Sequence, residues 1–386
     1  MHEGETVLTD ASKRQMRTTD YRKDYKLART LGQGSFAKVK IGTCHADGTK
    51  WAVKIIDRRN LSKDDADALG IEVETMLRVR HPNIVELKEI YDAHEFVMIL
   101  ELCTGGELFD RIVSYDHYTE KRAAHAFAQM TEAIGHCHAH GIVHRDLKPE
   151  NLLYKAPEPD ETLKLADFGL AAVLSDSSML QTACGTPGYV APEILANKGY
   201  ANTVDVWSLG VILYILLCGF PPFYHENNAE LFAIIKRGEF DFPSPYWDGV
   251  GASAKELITQ CLQVDIRKRC DCEAIMKHAW MQGEAVDVHL PHFMGSMKAY
   301  NARCARAAGP PFRARDRRFS LSERYPSPPL FSRGAGASSA APSKRRCWST
   351  NWRPDSAHTR RYAARSPRSG DRLIRGYLHT GTAPLT

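Results

Sequence analysis

Between Gly141 and Lys155 the chain reads GIVHRDLKPENLLYK. One carboxylate, Asp146, and one side-chain amide, Asn151, stand five residues apart among His144, Arg145, Lys148 and Lys155, with apolar residues on both sides. Sixteen residues beyond Asn151 follows a second short polar run, Asp167-Phe168-Gly169. Ionised groups set among apolar residues are costly unless they are paired or in use. The two runs therefore require a fold that gathers them in one cleft.

The pattern along the chain supplies such a fold. After a polar, aperiodic stretch over residues 1–24, expected to be disordered, β-type runs cover Tyr25 to Leu31, Ala37 to Cys44 and Thr49 to Ile56, with Asp47-Gly48 as a hairpin signal. The segment DADALGIEVETMLRVR has helical spacing, and IVELKEIYD and EFVMILEL return to strand character. Beyond TGGELFDRI the long periodic segments are helical: EKRAAHAFAQMTEAIGHCHAHG, TVDVWSLGVILYILLCG, NNAELFAIIKRG and SAKELITQCLQVD. An α+β chain of two lobes is predicted, a small β-rich one followed by a larger helical one, with a ligand in the cleft between them. Past Trp280 order is expected to weaken. Phe293, Met297, Tyr300 and Cys304 still form an amphipathic stripe within residues 281–309, which Pro310-Pro311 ends. Residues 310–386 are rich in Arg, Ser, Pro and Gly without periodicity, a disorder composition.

Charge divides the chain in the same place. Residues 303–386 carry 18 Lys and Arg against 4 Asp and Glu, a net +14, whereas residues 1–302 carry 33 against 42, a net −9. No apolar run of about 18 residues is present, so no transmembrane helix is predicted. The first residues lack the apolar core of a signal peptide. Ten cysteines lie scattered, the nearest pair being Cys270 and Cys272, without the spacing of a zinc site. Reduced thiols in the cytosol or nucleus are expected.

Three further motifs turn the cleft toward phosphate chemistry. LGQGSFAKV, from Leu31 to Val39, places Gly32 and Gly34 in a turn between strands, where backbone N–H groups can approach phosphate oxygens; Ala37 stands where a third glycine would complete the motif. On its own such a turn is more often a plain hairpin. The absence of a helix directly after it excludes a dinucleotide-binding unit. Lys54 lies on the apolar strand WAVKII, and Glu72, 18 residues on, is favoured over Glu74 as its partner. HRD-x-x-x-x-N followed by DFG then assigns roles: Asp146 to accept a hydroxyl proton, Lys148 to neutralise the transferring phosphoryl, Asn151 and Asp167 to hold Mg2+ through oxygen. His136 and His140 sit four apart as a possible metal pair, but a helix end is the favoured reading.

With these motifs in this order, the chain resembles the eukaryotic protein kinases over about Tyr25 to Trp280, and Lys148 points to the serine/threonine branch. APE from Ala191, DVWSLG from Asp205 and Arg269 in DIRKR add to the likeness, with Ile266 in place of the proline common in the family. The segments TACGTPGYVAPEIL and YILLCGFPPFYHENNAELF resemble the calcium/calmodulin-dependent protein kinases in particular. The resemblance implies an ATP site formed by Leu31, Gly32, Gln33, Gly34, Ser35, Phe36, Ala37, Lys38, Val39, Ala52 and Lys54, with a hinge from Glu101 to Cys103 behind Leu100. Adenine would lie between Leu31, Val39 and Ala52 on one side and Leu153 on the other. It further implies an internal stack of Met76, Leu87, His144 and Phe168, a pairing of Arg269 with Glu193, and Asp205 bracing the loop around Asp146.

Regulation is read from the same resemblance. Arg145 beside Asp146 calls for an anion, which Thr182 phosphorylated by an upstream kinase would supply. Glu107 resembles the acid that reads an arginine three residues before the phosphoacceptor, and Ser320 and Ser349 in the tail have such an arginine. In these relatives a helix after the catalytic domain blocks the cleft and binds calmodulin; MKAYNARCARA looks like its start. The basic tail is a candidate contact for anionic partners through charge alone. A silent scaffold would be signalled by loss of Lys54, Asp146 or Asp167, and all three are present.

Overall fold

A computed structural model describes residues 9–33, 37–58, 61, 63–115, 117–159, 161–173 and 187–307. The N-terminal lobe is built on a six-stranded sheet. Its strands are β1 (Met16–Arg17), β2 (Tyr25–Gln33), β3 (Ala37–Cys44), β4 (Lys50–Ile56), β5 (Leu87–Asp92) and β6 (Phe96–Glu101), in the order β1-β5-β6-β4-β3-β2. β1 runs parallel to β5 and the remaining pairs are antiparallel. The β3–β4 hairpin turns through Gly48 at φ 71°, and Asp47 Oδ1 accepts the Thr49 N–H at 2.9 Å, as the Asp-Gly signal requires.

Alternation along β4 decides what each face of the sheet does. Ala52, Lys54 and Ile56 are buried on one side, and Val53, fully buried, points to the other. The first side meets the helix between β4 and β5, Lys63–Arg78, whose Leu69, Val73 and Met76 join the main core. The second side forms its own cluster of Val53, Val97 and Ile99 beneath Tyr21, Tyr25 and Tyr91.

That second cluster overturns the expectation of disorder for residues 9–24. A short helix, α1 (Asp10–Lys13), precedes β1; Thr9 caps it and also donates its N–H to Glu74 Oε1 at 2.7 Å. Tyr21, only 2% exposed, covers the sheet edge-to-face with Tyr91, and Arg17 bonds to Glu89 at 2.9 Å. The segment is polar in composition, yet one tyrosine and one methionine suffice to seat it.

With Lys63–Arg78 as α2, the C-terminal lobe comprises α3 (Leu108–Ile112), α4 (Glu120–Ala139), α5 (Pro192–Leu195), α6 (Thr203–Cys218), α7 (Asn228–Arg237), α8 (Ala252–Cys261), α9 (Cys272–Lys277) and α10 (Phe293–Ala307). Short strands β7 (Ile142–Val143), β8 (Leu152–Tyr154), β9 (Leu163–Leu165) and β10 (Ala172–Val173) lie on its upper surface, pairing β7 with β10 and β8 with β9. α6 is apolar on every side and buried from Val204 to Cys218, which makes it the central helix. Gly210 lets α8 approach it: a Cβ there would lie 2.6 Å from Cys261 Cβ.

The chain also stays ordered past Trp280. Trp280 donates its indole N–H to the buried Glu120 at 2.8 Å, and α10 docks through the predicted stripe, with Phe293 and Met297 fully buried. Phe293 stacks on Tyr118 at 4.3 Å, and Asn301 donates to Asp110 at 2.8 Å. The apolar stripe outweighs the polar residues between its members. The tail beyond Ala307 lies outside the described residues.

Replacing Gly210 is expected to reveal the tight α6–α8 crossing. Gly210→Val gains a little helix propensity, well under about 1 kcal/mol, and loses about 2–3 kcal/mol to overpacking. Chemical denaturation of the variant should show a net loss of stability.

Candidate active site

The loop between β7 and β8 carries the polar run noted in the sequence, and one buried carboxylate organises it. Asp205, in the first turn of α6, accepts the backbone N–H of His144 at 2.9 Å and of Arg145 at 2.8 Å. Its Oδ2 also lies 2.8 Å from His138 Nε2 on α4. Burial alone would raise this carboxyl's pKa, but the hydrogen bond and charge from His138, together with the loop N–H groups, hold it below its ordinary value. Nothing local in the sequence marks His138 as this partner.

Held in this way, the backbone adopts a conformation that L-residues avoid. Arg145 has φ 68° and Asp167, at the second run, φ 65°. Strain of this kind persists only where surrounding bonds over-determine it, and it gathers at functional sites. Asp146 follows, 8% exposed, its carboxylate bonded to the Lys148 ammonium. Asn151 donates its amide N–H to the Asp146 carbonyl at 2.9 Å, while its Oδ1 is buried and has no hydrogen-bond partner among the described residues. An orphaned acceptor oxygen is expensive unless something is meant to fill its coordination.

Across the cleft, β4 holds Lys54 opposite Val39 on β3 and Met98 on β6. Its ammonium meets Glu72 Oε1 on α2 at 2.6 Å, with both side chains about nine-tenths buried. Burial works to lower the Lys54 pKa, yet the charges of Glu72 and Asp167 raise it, so the group is a fixed cation. Glu74, the competing partner, instead takes the Thr9 N–H. Phe168 is fully buried, with its ring centroid 5.1 Å from that of His144, and Met76 and Leu87 belong to the same core.

The walls between these groups are apolar. Leu31, Val39, Ala52, Leu100 and Leu153 are all buried in one cluster. Gly32 and Gln33 end β2 opposite Val39 and Lys38, and Ala37 opens β3; Gly34, Ser35 and Phe36 lie outside the described residues. At the end of β6 the Glu101 carboxylate turns to Lys164 at 2.7 Å and Lys155 at 3.4 Å, tying the hinge to the second lobe. Cys103 beside it is buried, which pushes its thiol pKa up to about 12. The sequence carried no mark of these lysine contacts.

The remaining expected residues fall around this centre. Arg145 donates to the carbonyls of Leu170 and Ala171 and to the Tyr200 hydroxyl, all neutral acceptors; among the described residues no carboxylate pairs with it. Thr182 lies outside the described residues. Glu107 is buried at the N-cap of α3 and bridges to Leu153. Arg269 grips Glu193 through two bonds of 2.6 and 2.9 Å, and also bonds to the Thr203 carbonyl. His136 and His140 face each other at 4.4 Å in the last turn of α4, where His140 Nδ1–H donates to the His136 carbonyl.

An apolar slot, a fixed cation, a loop carboxylate beside an ammonium, and the side-chain oxygens of Asn151 and Asp167 suit a nucleotide polyphosphate with its metal. The comparison of families agrees. The protein kinase domain family matches residues 25–281, two thirds of the chain, and the chain belongs to it. That family uses ATP with a divalent metal. Within it this is a serine/threonine protein kinase, similar to the calcium/calmodulin-dependent group. A calcium/calmodulin-dependent protein kinase type 1 of Macrobrachium nipponense is 51% identical over 270 residues, 69% of this chain and 78% of the relative. The type 1 enzyme of Caenorhabditis elegans is 46% identical over 298 residues, covering 74% and 85%, and the type 1B enzyme of Rattus norvegicus 45% over 269 residues, covering 69% and 78%.

Asp205 offers a test of the bracing. Since its folded pKa is depressed, its contribution is fully present above the ordinary aspartate value of about 3.9 and is lost as pH falls through the folded value. Asp205→Asn should unfold more readily than the parent at neutral pH. Thermal melts across a pH series should show that gap shrinking below about pH 3.9.

Proposed function

We propose that the chain transfers the γ-phosphoryl group of MgATP to serine and threonine hydroxyls in protein segments with an arginine three residues upstream. The observation that carries the reading is the pairing of an Asp146 carboxylate held by Lys148 with an Asn151 whose Oδ1 is buried and has no partner among the described residues. When bound, Mg2+ supplies charge neutralisation at the phosphates, and Asn151 Oδ1 and Asp167 are the oxygens suited to hold it. Lys54, fixed by Glu72, binds the α- and β-phosphates. Leu31, Val39, Ala52 and Leu153 enclose the adenine, and the backbone of Glu101 and Cys103 reads its edge.

Asp146 orients the incoming hydroxyl and takes its proton, while Lys148 offsets the negative charge of the moving phosphoryl group. General-base action of this kind contributes about 10²–10⁴-fold. Asp146→Asn is therefore expected to lower kcat for peptide phosphorylation by that factor and to leave the KM for ATP within a few-fold. A variant as fast as the parent would contradict the assignment.

Arg145 supports a switch. Its guanidinium has only neutral acceptors among the described residues, and a phosphate of about −1.5 to −2 charge on Thr182 would complete it. Thr182→Ala should lower activity in protein treated with an upstream kinase and abolish the response to that treatment. Glu107, at the N-cap of α3, reads the substrate arginine in this proposal. The basic tail, residues 310–386, contacts anionic partners, and a reducing cytosolic or nuclear setting suits the free cysteines.

Several relatives are named calcium/calmodulin-dependent, and α10 supports extending that dependence here. It docks against α3 through Tyr300 on Phe109 and through Asn301 on Asp110, within a turn of Glu107. A chain ending at His292 keeps the Leu290 contact to Tyr118 and lacks both α10 and the tail that follows it, whereas a chain ending at Ala307 lacks the tail alone and serves as its control. The chain ending at His292 should phosphorylate peptides at the same rate with or without calcium–calmodulin, whereas the full chain should be slower and speed up on its addition. Identical behaviour of these two chains would remove calmodulin from the scheme.

A further inference from the structure

Two cysteines outside the active site lie sulfur to sulfur. Cys261 ends α8, fully buried, and Cys270 precedes α9, partly exposed; their Sγ atoms are 3.6 Å apart. The ten-residue segment they bound is already closed by its backbone. The Cys270 N–H donates to the Gln260 carbonyl at 3.3 Å, and the N–H groups of Lys268 and Arg269 donate to the Asp265 carbonyl at 2.9 and 3.2 Å. A disulfide bond spans about 2.05 Å, so the sulfurs need to move by roughly 1.5 Å between them.

We propose that Cys261 and Cys270 form a reversible, peroxide-responsive disulfide, with Cys270 the thiol attacked first and Cys261 the thiol that resolves it. Access favours this order, because Cys270 is the one that meets solvent. The environment does too. The hydrogen bond from Cys261 lowers the Cys270 pKa, whereas that same bond and burial raise the pKa of Cys261, and it is thiolate that reacts with peroxide. Cys272 offers no better partner: it is buried in the first turn of α9, and its Sγ lies 3.8 Å from His138 Nδ1.

The chemistry balances with hydrogen peroxide as oxidant. Cys270 sulfur attacks one peroxide oxygen, the O–O bond breaks, and water leaves as the sulfenic acid forms. Cys261 sulfur then attacks the Cys270 sulfur, the S–O bond breaks, and hydroxide departs with the Cys261 proton as a second water. Two thiols are oxidised by two electrons in all, and one peroxide is reduced to two waters. In a reducing compartment such a bond is transient, and a thiol such as dithiothreitol restores both cysteines.

The bond reaches the kinase through one residue. Arg269 adjoins Cys270 and holds the buried Glu193 through two hydrogen bonds and the Thr203 carbonyl through a third. Drawing Cys270 inward displaces the root of that side chain, so the oxidised enzyme loses activity and regains it on reduction.

The test uses the full chain, treated with graded hydrogen peroxide, alkylated, and mapped by mass spectrometry without reduction. Trypsin separates Cys261 from Cys270 by cutting at Arg267, Lys268 and Arg269, and cleavage before Asp271 separates Cys270 from Cys272. The expected result is a peptide linking Cys261 to Cys270, reversed by dithiothreitol and absent from Cys261→Ser and Cys270→Ser. The parent should lose activity several-fold in step with the link, and Cys270→Ser should not. A Cys270 that is alkylated, over-oxidised or joined to Cys272 without any link to Cys261 overturns the pair. Full linkage with unchanged activity overturns its connection to Arg269. The mapping reads no catalysis, so its outcome is independent of the assigned reaction.

Discussion

Two opposite charges in an apolar interior are tolerable only together, and Lys54 and Glu72 meet that condition across the N-terminal lobe. Each is about nine-tenths buried, and their polar atoms are 2.6 Å apart. Removing one partner of such a pair costs about 3–5 kcal/mol, because the other is left charged and dry. The pair therefore fixes α2 against the sheet. It also leaves one ammonium, raised in pKa by Glu72 and Asp167, facing the cleft where phosphates must be held. The position of α2, the register of β4 and the setting of Asp167 all converge on this contact.

The C-terminal lobe uses the same device twice more. Asp205 gathers His138, His144 and Arg145, and Arg269 gathers Glu193 and Thr203, both from the interior around α6. Each joins segments far apart in sequence through a buried charge satisfied by several bonds. The strained backbone at Arg145 is tolerable because Asp205 holds its N–H. Catalysis of phosphoryl transfer is chiefly positioning and charge, and the molecule spends its buried ionic groups on positioning.

Much of this was legible in the sequence, for physical reasons. Alternation showed β4 with Lys54 inward, and helical spacing showed that α2, α4, α7 and α8 are helices, because local periodicity reports the repeat of an element; α6, apolar on every side, has no single buried face to read. Spacing also named Glu72 over Glu74. What the sequence hid was long-range. His138 and Asp205 are 67 residues apart, Glu101 and Lys164 are 63 apart, and neither pairing has a local signature. The seating of residues 9–24 rests on Tyr21 finding Tyr91, a contact that a polar composition conceals. Similarly, α10 looked like a fading stub beside the basic tail, yet Phe293, Met297 and Tyr300 at the right interval dock it.

The interaction at the centre of this account is most directly measured by a double-mutant cycle on Lys54→Met and Glu72→Gln, read as kcat/KM for peptide phosphorylation. If the pair acts as one positioning unit, each single variant loses about 10²-fold or more, and the double variant loses little beyond the worse of the two. Additive losses, in folded protein, would mean that Lys54 and Glu72 act separately and would contradict it.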